Sequence, residues 1–424
     1  MILTSLVFLV SLVPRSLAAG VVVDRAAGGR KTCTVTARGD KQDDVPNILK
    51  AFDQCGQGGN IIFPEGEQYY IAQRLNPKVV DVTIDWRGTW LFSEDIDYWR
   101  NNNYHVEFQN HAAGFVLSGD GITIDGHNTG GINGNGDVWY SAEAGTTRPG
   151  RPMPFVFWNV SDVHVSNFSI HQPQLWAINI MNGTDMWFKN MLVNATSTKA
   201  PARSNWVQNT DGFAINAPAA DTMDARNVHL ENFWYKGGDD CIAIKSRSYQ
   251  IQLSNVTCNG GNGIAIGSLG QYLEDSSVDT VHMKDFKAPG VRYGVHIKTW
   301  MGGLVPQDHY ESGGQPRGGG WGTVNNITFE NFDMTGATRV AYIDQNLGDN
   351  STKAYAGTSK MLLRDIVFRN FSGRLSGSAN RVTVSGSRVH PSEGIYFYNM
   401  RTVSNTGVTP GEERVGSSES KGPC

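Results

Sequence analysis

The chain has 424 residues, 39% of them apolar and 18% charged, which is enough for a large buried core. Its 49 glycines against 16 prolines point to many tight turns rather than to disorder. The formal net charge is −4 with no long basic run, which argues against a nucleic-acid partner but leaves room for an acidic polymer in a locally positive cleft.

The apolar stretch from Ile2 to Val13 is too short to span a bilayer. Ser16-Leu17-Ala18-Ala19 fits cleavage after Ala18, so residues 1–18 read as a secretion signal, although no Lys or Arg precedes the apolar run. No second stretch could cross a membrane. The expectation is a secreted, extracellular protein, and secretion brings disulfides and glycans. Local pairing, Cys33 with Cys55 and Cys241 with Cys258, is the simplest arrangement of the five cysteines and leaves Cys424 over. Eight N-x-Ser/Thr sequons begin at Asn159, Asn167, Asn182, Asn194, Asn255, Asn326, Asn350 and Asn370. Several coincide with the repeat described below, so some of these asparagines are candidates for a purely structural role.

After the signal, Asp43 or Asp44 can N-cap a helix with Pro46 in its first turn. Ile48, Leu49 and Phe52 then share a face. A solenoid needs its open end covered, and this short helix is the expected cap. From about residue 80 the chain becomes short strands divided by Gly, Asn and Asp. The phrase apolar-any-Asn (or Asp)-apolar recurs with its third position at 167, 190, 232, 255, 285, 331, 370 and 399. The gaps are 23, 42, 23, 30, 46, 39 and 29 residues, which fits one coil, two coils, or one coil with a loop. Strands at this period without helices between them predict an all-β fold, a parallel β-helix, over a β-sandwich of hairpins. Residues 19–404 are expected to form this one domain, with 405–424 a loose tail.

The same period gathers acids. Asp211 precedes Asp240 by 29 residues, and Ala214 to Ala220 resembles a loop more than a strand. Without those seven residues the offset is 22, one coil, and Asp239 to Asn262 is 23, again one coil. Equivalent positions of stacked strands lie about 4.8 Å apart. Asp211, the Asp239–Asp240 pair and Asn262 are therefore expected in one row, with Gly237-Gly238 bending the chain so that both adjacent acids face out. Crowded carboxylates repel, so one is expected to hold a proton while another activates water, the requirement for glycoside hydrolysis. The plainer reading of Gly-Gly-Asp-Asp, a turn or a calcium site, fits the pair alone but not its in-register partner Asn209-Thr210-Asp211. On the strand Tyr293 to Trp300, His296 and Lys298 face the same way, and Lys298 can hold a substrate carboxylate. Trp300 and Tyr272 are candidates for stacking on a sugar.

Asn209-Thr210-Asp211, Gly238-Asp239-Asp240-Cys241, Gly261-Asn262-Gly263 to Gly267-Ser268-Leu269-Gly270, and His296-Ile297-Lys298, taken in order, resemble glycoside hydrolase family 28, the polygalacturonases, over roughly residues 30 to 400. The resemblance implies a right-handed, single-stranded parallel β-helix and inverting hydrolysis of α-1,4-galacturonic links with no cofactor or metal. It implies Asp239 as general acid, Asp211 and Asp240 as the pair that handles water, and Lys298 as the carboxylate binder. His296, Asn262, Asn209 and Tyr272 are further substrate-binding candidates. Asn262 stands where endo-acting members have a histidine and His296 where they have an arginine. The run from Asn262 to Ser277 resembles the fungal exo-acting branch, galacturan 1,4-α-galacturonidase, which releases galacturonic acid from the non-reducing end. Against that branch residues 214–220 are an apparent insertion beside Asp211, able to weaken activity if they displace it. The expected partner is pectic polysaccharide alone, bound by a monomer. The alternatives are a rhamnogalacturonan or xylogalacturonan hydrolase, a calcium-dependent lyase, or a catalytically weakened pectin-binding homologue.

Overall fold

The computed structural model describes residues 20–25, 29–216, 224–348, 354–376, 381–403 and 414–415. The expected signal segment 1–18, Cys424 and Asn350 lie outside the described residues, as do 217–223. Among the described residues no helix is long and apolar enough to cross a membrane.

The architecture is a parallel β-helix, as the repeat predicts. Within the coils, strands pair in parallel with their equivalents one coil before and one coil after. On one side Ala225–Lys236, Ser248–Asn259, Val278–Lys287, Trp321–Asp333, Lys360–Arg374 and Glu393–Val403 stack in that order. On another, Ile178–Asn194, Phe213–Asn216, Asp240–Ile244, Gly263–Leu269, Tyr293–Trp300 and Arg339–Leu347 do the same. Alternation sends Ile242, Ile244, Ile264, Ile266, Val295 and Ile297 into one continuous core. Aromatic rings stack there coil on coil, as in Phe329, Phe368 and Phe397 with centroids 5.1 and 4.7 Å apart.

The recurring asparagine has a conformational cause. Asn167, Asn190, Asn232, Asn255, Asp285, Asn331, Asn370 and Asn399 all adopt positive φ, between 51° and 60°. Asn and Asp tolerate this left-handed bend better than other side-chain-bearing residues. A second column of positive-φ residues, including Asp162, Asp185, Asn227, Gln250, Thr280, Asn326 and Asp365, lies five positions earlier in each coil. The two bends fold what is a single long ladder into three short straight pieces. The side-chain amides then bond along the stack: Asn190 donates to Asn167 (2.8 Å), Asn232 to Asn190 (2.9 Å), Asn255 to Asn232 (2.7 Å), Asn370 to Asn331 (2.9 Å) and Asn399 to Asn370 (2.7 Å). The ladder gives several of the sequon asparagines a structural role. Nδ2 of Asn167, Asn255 and Asn370 donates within the ladder, and that of Asn326 donates to Thr280. Asn182 is fully buried.

The cap forms as expected with two corrections. The helix spans Val45–Cys55 and buries Val45, Ile48, Ala51, Phe52 and Cys55, a stripe that leaves Leu49 37% exposed. Asp44 stands at the N-cap, but its carboxylate turns away to accept from the Arg38 and Tyr70 amides. Cys33–Cys55 pins the helix end to the first coil, and Cys241–Cys258 is the second disulfide. At the far end Arg414–Val415 pairs antiparallel with Ile395 and Tyr396. This part of the expected loose tail is therefore a strand on the last coil, whose open edge would otherwise template pairing with other chains.

Candidate active site

The strands Phe213–Asn216, Asp240–Ile244 and Gly263–Leu269 set the row. Phe213 pairs with Ile242, and Asp240 with Gly263, so Asp211, Asp240 and the Asn262 bend lie on successive coils. Ala214, Ile215 and Asn216 are strand in register with Ala243 and Ile244, not loop. This corrects the placement of the apparent insertion. The rest of it, 217–220, lies outside the described residues, and the Asp211 carbonyl accepts from Ala177 N at 2.8 Å, in line with the coil before.

The adjacent acids both reach the outer face because the ladder slips at Cys241, a bulge that breaks strict alternation. Gly237 and Gly238 matter through close approach rather than through positive φ. A Cβ on Gly238 would lie 2.2 Å from Asn205 Oδ1 and 2.6 Å from Val207 Cγ2. The segment 205–210 thus lies directly on the Asp239 bend, and Asn205 Nδ2 donates to Gly238 O at 2.7 Å.

Asp239 is held from three sides. Its Oδ2 accepts from Asn209 N (2.9 Å), and its Oδ1 accepts from Asp240 N (2.9 Å) and Asn262 Nδ2 (3.0 Å). Asn209 N and Asn262 Nδ2, from two of the substrate-binding candidates, thus both bond this carboxylate. Lys298 Nζ bonds Asp240 Oδ2 at 2.8 Å. Gly267, the residue between their coils, leaves the space, since a Cβ there would sit 2.6 Å from Lys298 Cγ. Asp211 Oδ1 is buried with no partner. One oxygen from each of the three aspartates lies within 4.8 Å of the others.

Electrostatics follow from this crowding. Burial pushes the Asp211 carboxyl well above the usual carboxylate range, Asp239 and Asp240 push it further, and Lys245 and Lys298 oppose them. Asp239 is raised by burial and then by Asp240, against Lys298 and its backbone donors. Burial works against the Lys298 cation, but Asp240 and Asp239 outweigh it and raise its pKa. His296 is pushed down to about 3 by burial and by Lys298, so it is neutral at any working pH, with its ring stacked on Tyr342 at 5.1 Å. Tyr272 is half-buried. Its hydroxyl accepts from Gln109 N at 3.0 Å and its ring packs edge-on against Phe108. Trp300 is buried beneath Arg317.

A folded carboxyl with a raised pKa holds its proton where the unfolded chain has released it. The stability Asp211 contributes is therefore full below the unfolded carboxylate pKa near 4 and is lost as pH rises through the folded value, about 1.4 kcal/mol for each unit of difference. Melting temperature should decline between about pH 4 and neutrality more steeply in the native protein than in Asp211→Asn. Parallel curves for the two would refute this placement of the proton.

Several groups escaped the sequence reading. Lys245 is 3% exposed and its Nζ lies 4.3 Å from the Trp176 ring centroid. Strand alternation past the bulge would have found it, because Ile242 and Ile244 point inward and Lys245 outward. Burying an ammonium costs several kcal/mol, and the ring returns about 1–2 kcal/mol. Arg151, 2% exposed, bonds Glu143 at 2.8 Å and donates to Gln208 O at 2.6 Å. His111 packs edge-on against Trp176 at 4.4 Å, and Asn110 Nδ2 donates to Tyr310 O at 2.8 Å. These two loops, 107–111 and 309–313, have no periodic signature and meet only in space. Trp176 stands one coil before Asp211, since Ile178 pairs with Phe213, so the junction walls the cleft on that side.

The model of the family described as Glycosyl hydrolases family 28 matches residues 59–415. Among curated proteins, two named "Putative galacturan 1,4-alpha-galacturonidase C" are similar. That of Aspergillus niger is 56% identical over 375 residues, covering 87% of this chain and 86% of its own. That of Neosartorya fischeri is 53% identical over 388 residues, covering 89% of each chain. Among solved structures, the endo-xylogalacturonan hydrolase from Aspergillus tubingensis superposes with a TM-score of 0.73 at 26% identity, over 90% of this chain and 97% of that one. With its parallel coils and its row of three aspartates, the chain belongs to glycosyl hydrolases family 28.

Proposed function

We propose that the protein is a secreted exo-acting polygalacturonase that releases galacturonic acid from the non-reducing end of polygalacturonate. The observation that carries the exo reading is the half-buried meeting of loops 107–111 and 309–313, where His111 packs on Trp176 one coil before Asp211; we read it as closing that end of the cleft. A chain end enters such a cleft, whereas an internal segment would need it open at both sides. The relatives above 50% identity carry the galacturonidase name, and the endo-xylogalacturonan hydrolase is more distant. The two disulfides suit an oxidising, extracellular setting.

In this reading Asp239 protonates the leaving oxygen, Asp211 and Asp240 orient and deprotonate water, and Lys298 balances their charge. An inverting pair ordinarily stands roughly 6.5–9.5 Å apart. The nearest oxygens here lie within 4.8 Å, so that expected spacing is not met. All three acids project from one face of the sheet, and room for the water then depends on how the sugar lies above them rather than on their mutual distance. Trigalacturonate digested in an NMR tube should first yield galacturonic acid as the β-anomer together with an equal amount of digalacturonate, and the polymer should lose little viscosity. A fast viscosity drop would sink the exo reading, and an initial α-anomer would show retention.

A further inference from the structure

We propose that Lys245 is the receptor for the carboxylate of the terminal sugar. It rests on the exo-galacturonidase reading, and it concerns a side chain that reading does not use. The ion pairs of the cleft single Lys245 out. Arg151 is paired with Glu143 at 2.8 Å, Arg317 with Glu311 at 3.1 Å and Lys298 with Asp240 at 2.8 Å. Among the described residues Lys245 is the cleft cation with no carboxylate within ion-pair distance, although it is 3% exposed. A buried cation without a counter-ion is retained at a cost, which an anionic ligand removes. Burial draws the Lys245 pKa down while Asp211 holds it up, so each lies within reach of the other's charge.

Its position selects the sugar. Asn216, Lys245, Gly267 and Lys298 occupy equivalent places on successive coils, as Ile215, Ile244 and Ile266 pair in turn and Gly267 pairs with Lys298. Lys298 reaches back to Asp240 across Gly267. Lys245 likewise reaches back, across the Asp211 coil and over Trp176, into the end walled by His111 and Tyr310. Around it, His111 Nδ1 and Nε2, Trp176 Nε1 and Tyr310 OH are buried without partners, which suits a ring bearing hydroxyls. The last sugar of the chain occupies that closed end. Its carboxylate would meet the ammonium that lacks one, and an uncharged hexose would leave it unpaired.

Galacturonic acid and galactose differ at this group alone. Titrated into the native protein, the acid should bind at least about tenfold more tightly. In Lys245→Met the preference should vanish through lost affinity for the acid, with galactose binding unchanged, and Lys245→Arg should recover part of it. The methionine variant should melt at or above the native temperature, because it removes a buried unpaired charge, an outcome a structural role for Lys245 would reverse. Lys245→Gln gives the same affinity reading if methionine disturbs folding. Undiminished preference in the neutral variants, or none in the native protein, overturns the proposal. A native protein that binds the acid preferentially yet releases none from trigalacturonate would instead refute the exo-galacturonidase reading.

Discussion

Replacing Asp239 by asparagine should lower kcat on trigalacturonate about 10³-fold, within the roughly 10²–10⁴-fold range of a positioned general acid. Asparagine keeps the shape, and its one oxygen can still accept from Asp240 N and Asn262 Nδ2, while the bond from Asn209 N and the acidic proton are lost. The assignment needs this test, because Asp211 is the carboxyl that the free protein protonates more readily. It is buried with an unpartnered oxygen, whereas both Asp239 oxygens accept hydrogen bonds. The three acids form one coupled group, and the position of its proton can change when sugar and water enter. A 4-nitrophenyl α-galacturonide decides between them, since its leaving group departs without a proton. Asp239→Asn should retain most of its activity on this substrate and Asp211→Asn should lose activity on both. The opposite pattern would make Asp211 the acid.

Glu143→Gln should destabilise the protein by about 3–5 kcal/mol, the cost of leaving a buried cation without its partner. Glu143 and Arg151 are 4% and 2% exposed, and Arg100 also bonds the same carboxylate at 2.5 Å. The effect should extend to catalysis. Arg151 donates to Gln208 O, and the next residue, Asn209, orients Asp239 through its amide. A displacement of 1 Å at a reacting group can cost about 10²-fold, so a tenfold fall in kcat in the folded variant is expected. Urea unfolding followed by fluorescence measures the first effect, and turnover at a temperature where the variant is folded measures the second. A loss under about 1 kcal/mol would show that the pair contributes little beyond filling space.

Much of the fold was legible in the chain. The left-handed bend that Asn tolerates recurs once per coil, so a backbone requirement left a written period. That period also placed Asp211 beside Asp239–Asp240, and local cysteine spacing anticipated both disulfides. What misled was the apparent loop Ala214–Ala220, whose first residues are strand because Ile215 is buried in the core, in register with Ile244. The bonds that Asn209 N, Asn262 Nδ2 and the Tyr272 hydroxyl make to neighbouring groups were not legible either. A motif shows that side chains cluster, but not which of them spends its hydrogen bonds on a neighbour.

The sequence by itself determined the solenoid, the row of acids and the lysine that stands over them, since each follows from the two-residue alternation of a strand and the length of one coil. Only the tertiary structure decided that Lys298 is committed to Asp240, that Lys245 is buried without a counter-ion, and that loops about 200 residues apart close one end of the cleft. The physical reason is that periodic backbone geometry is written locally, whereas the pairing of charges and the meeting of loops depend on distances that no local pattern records.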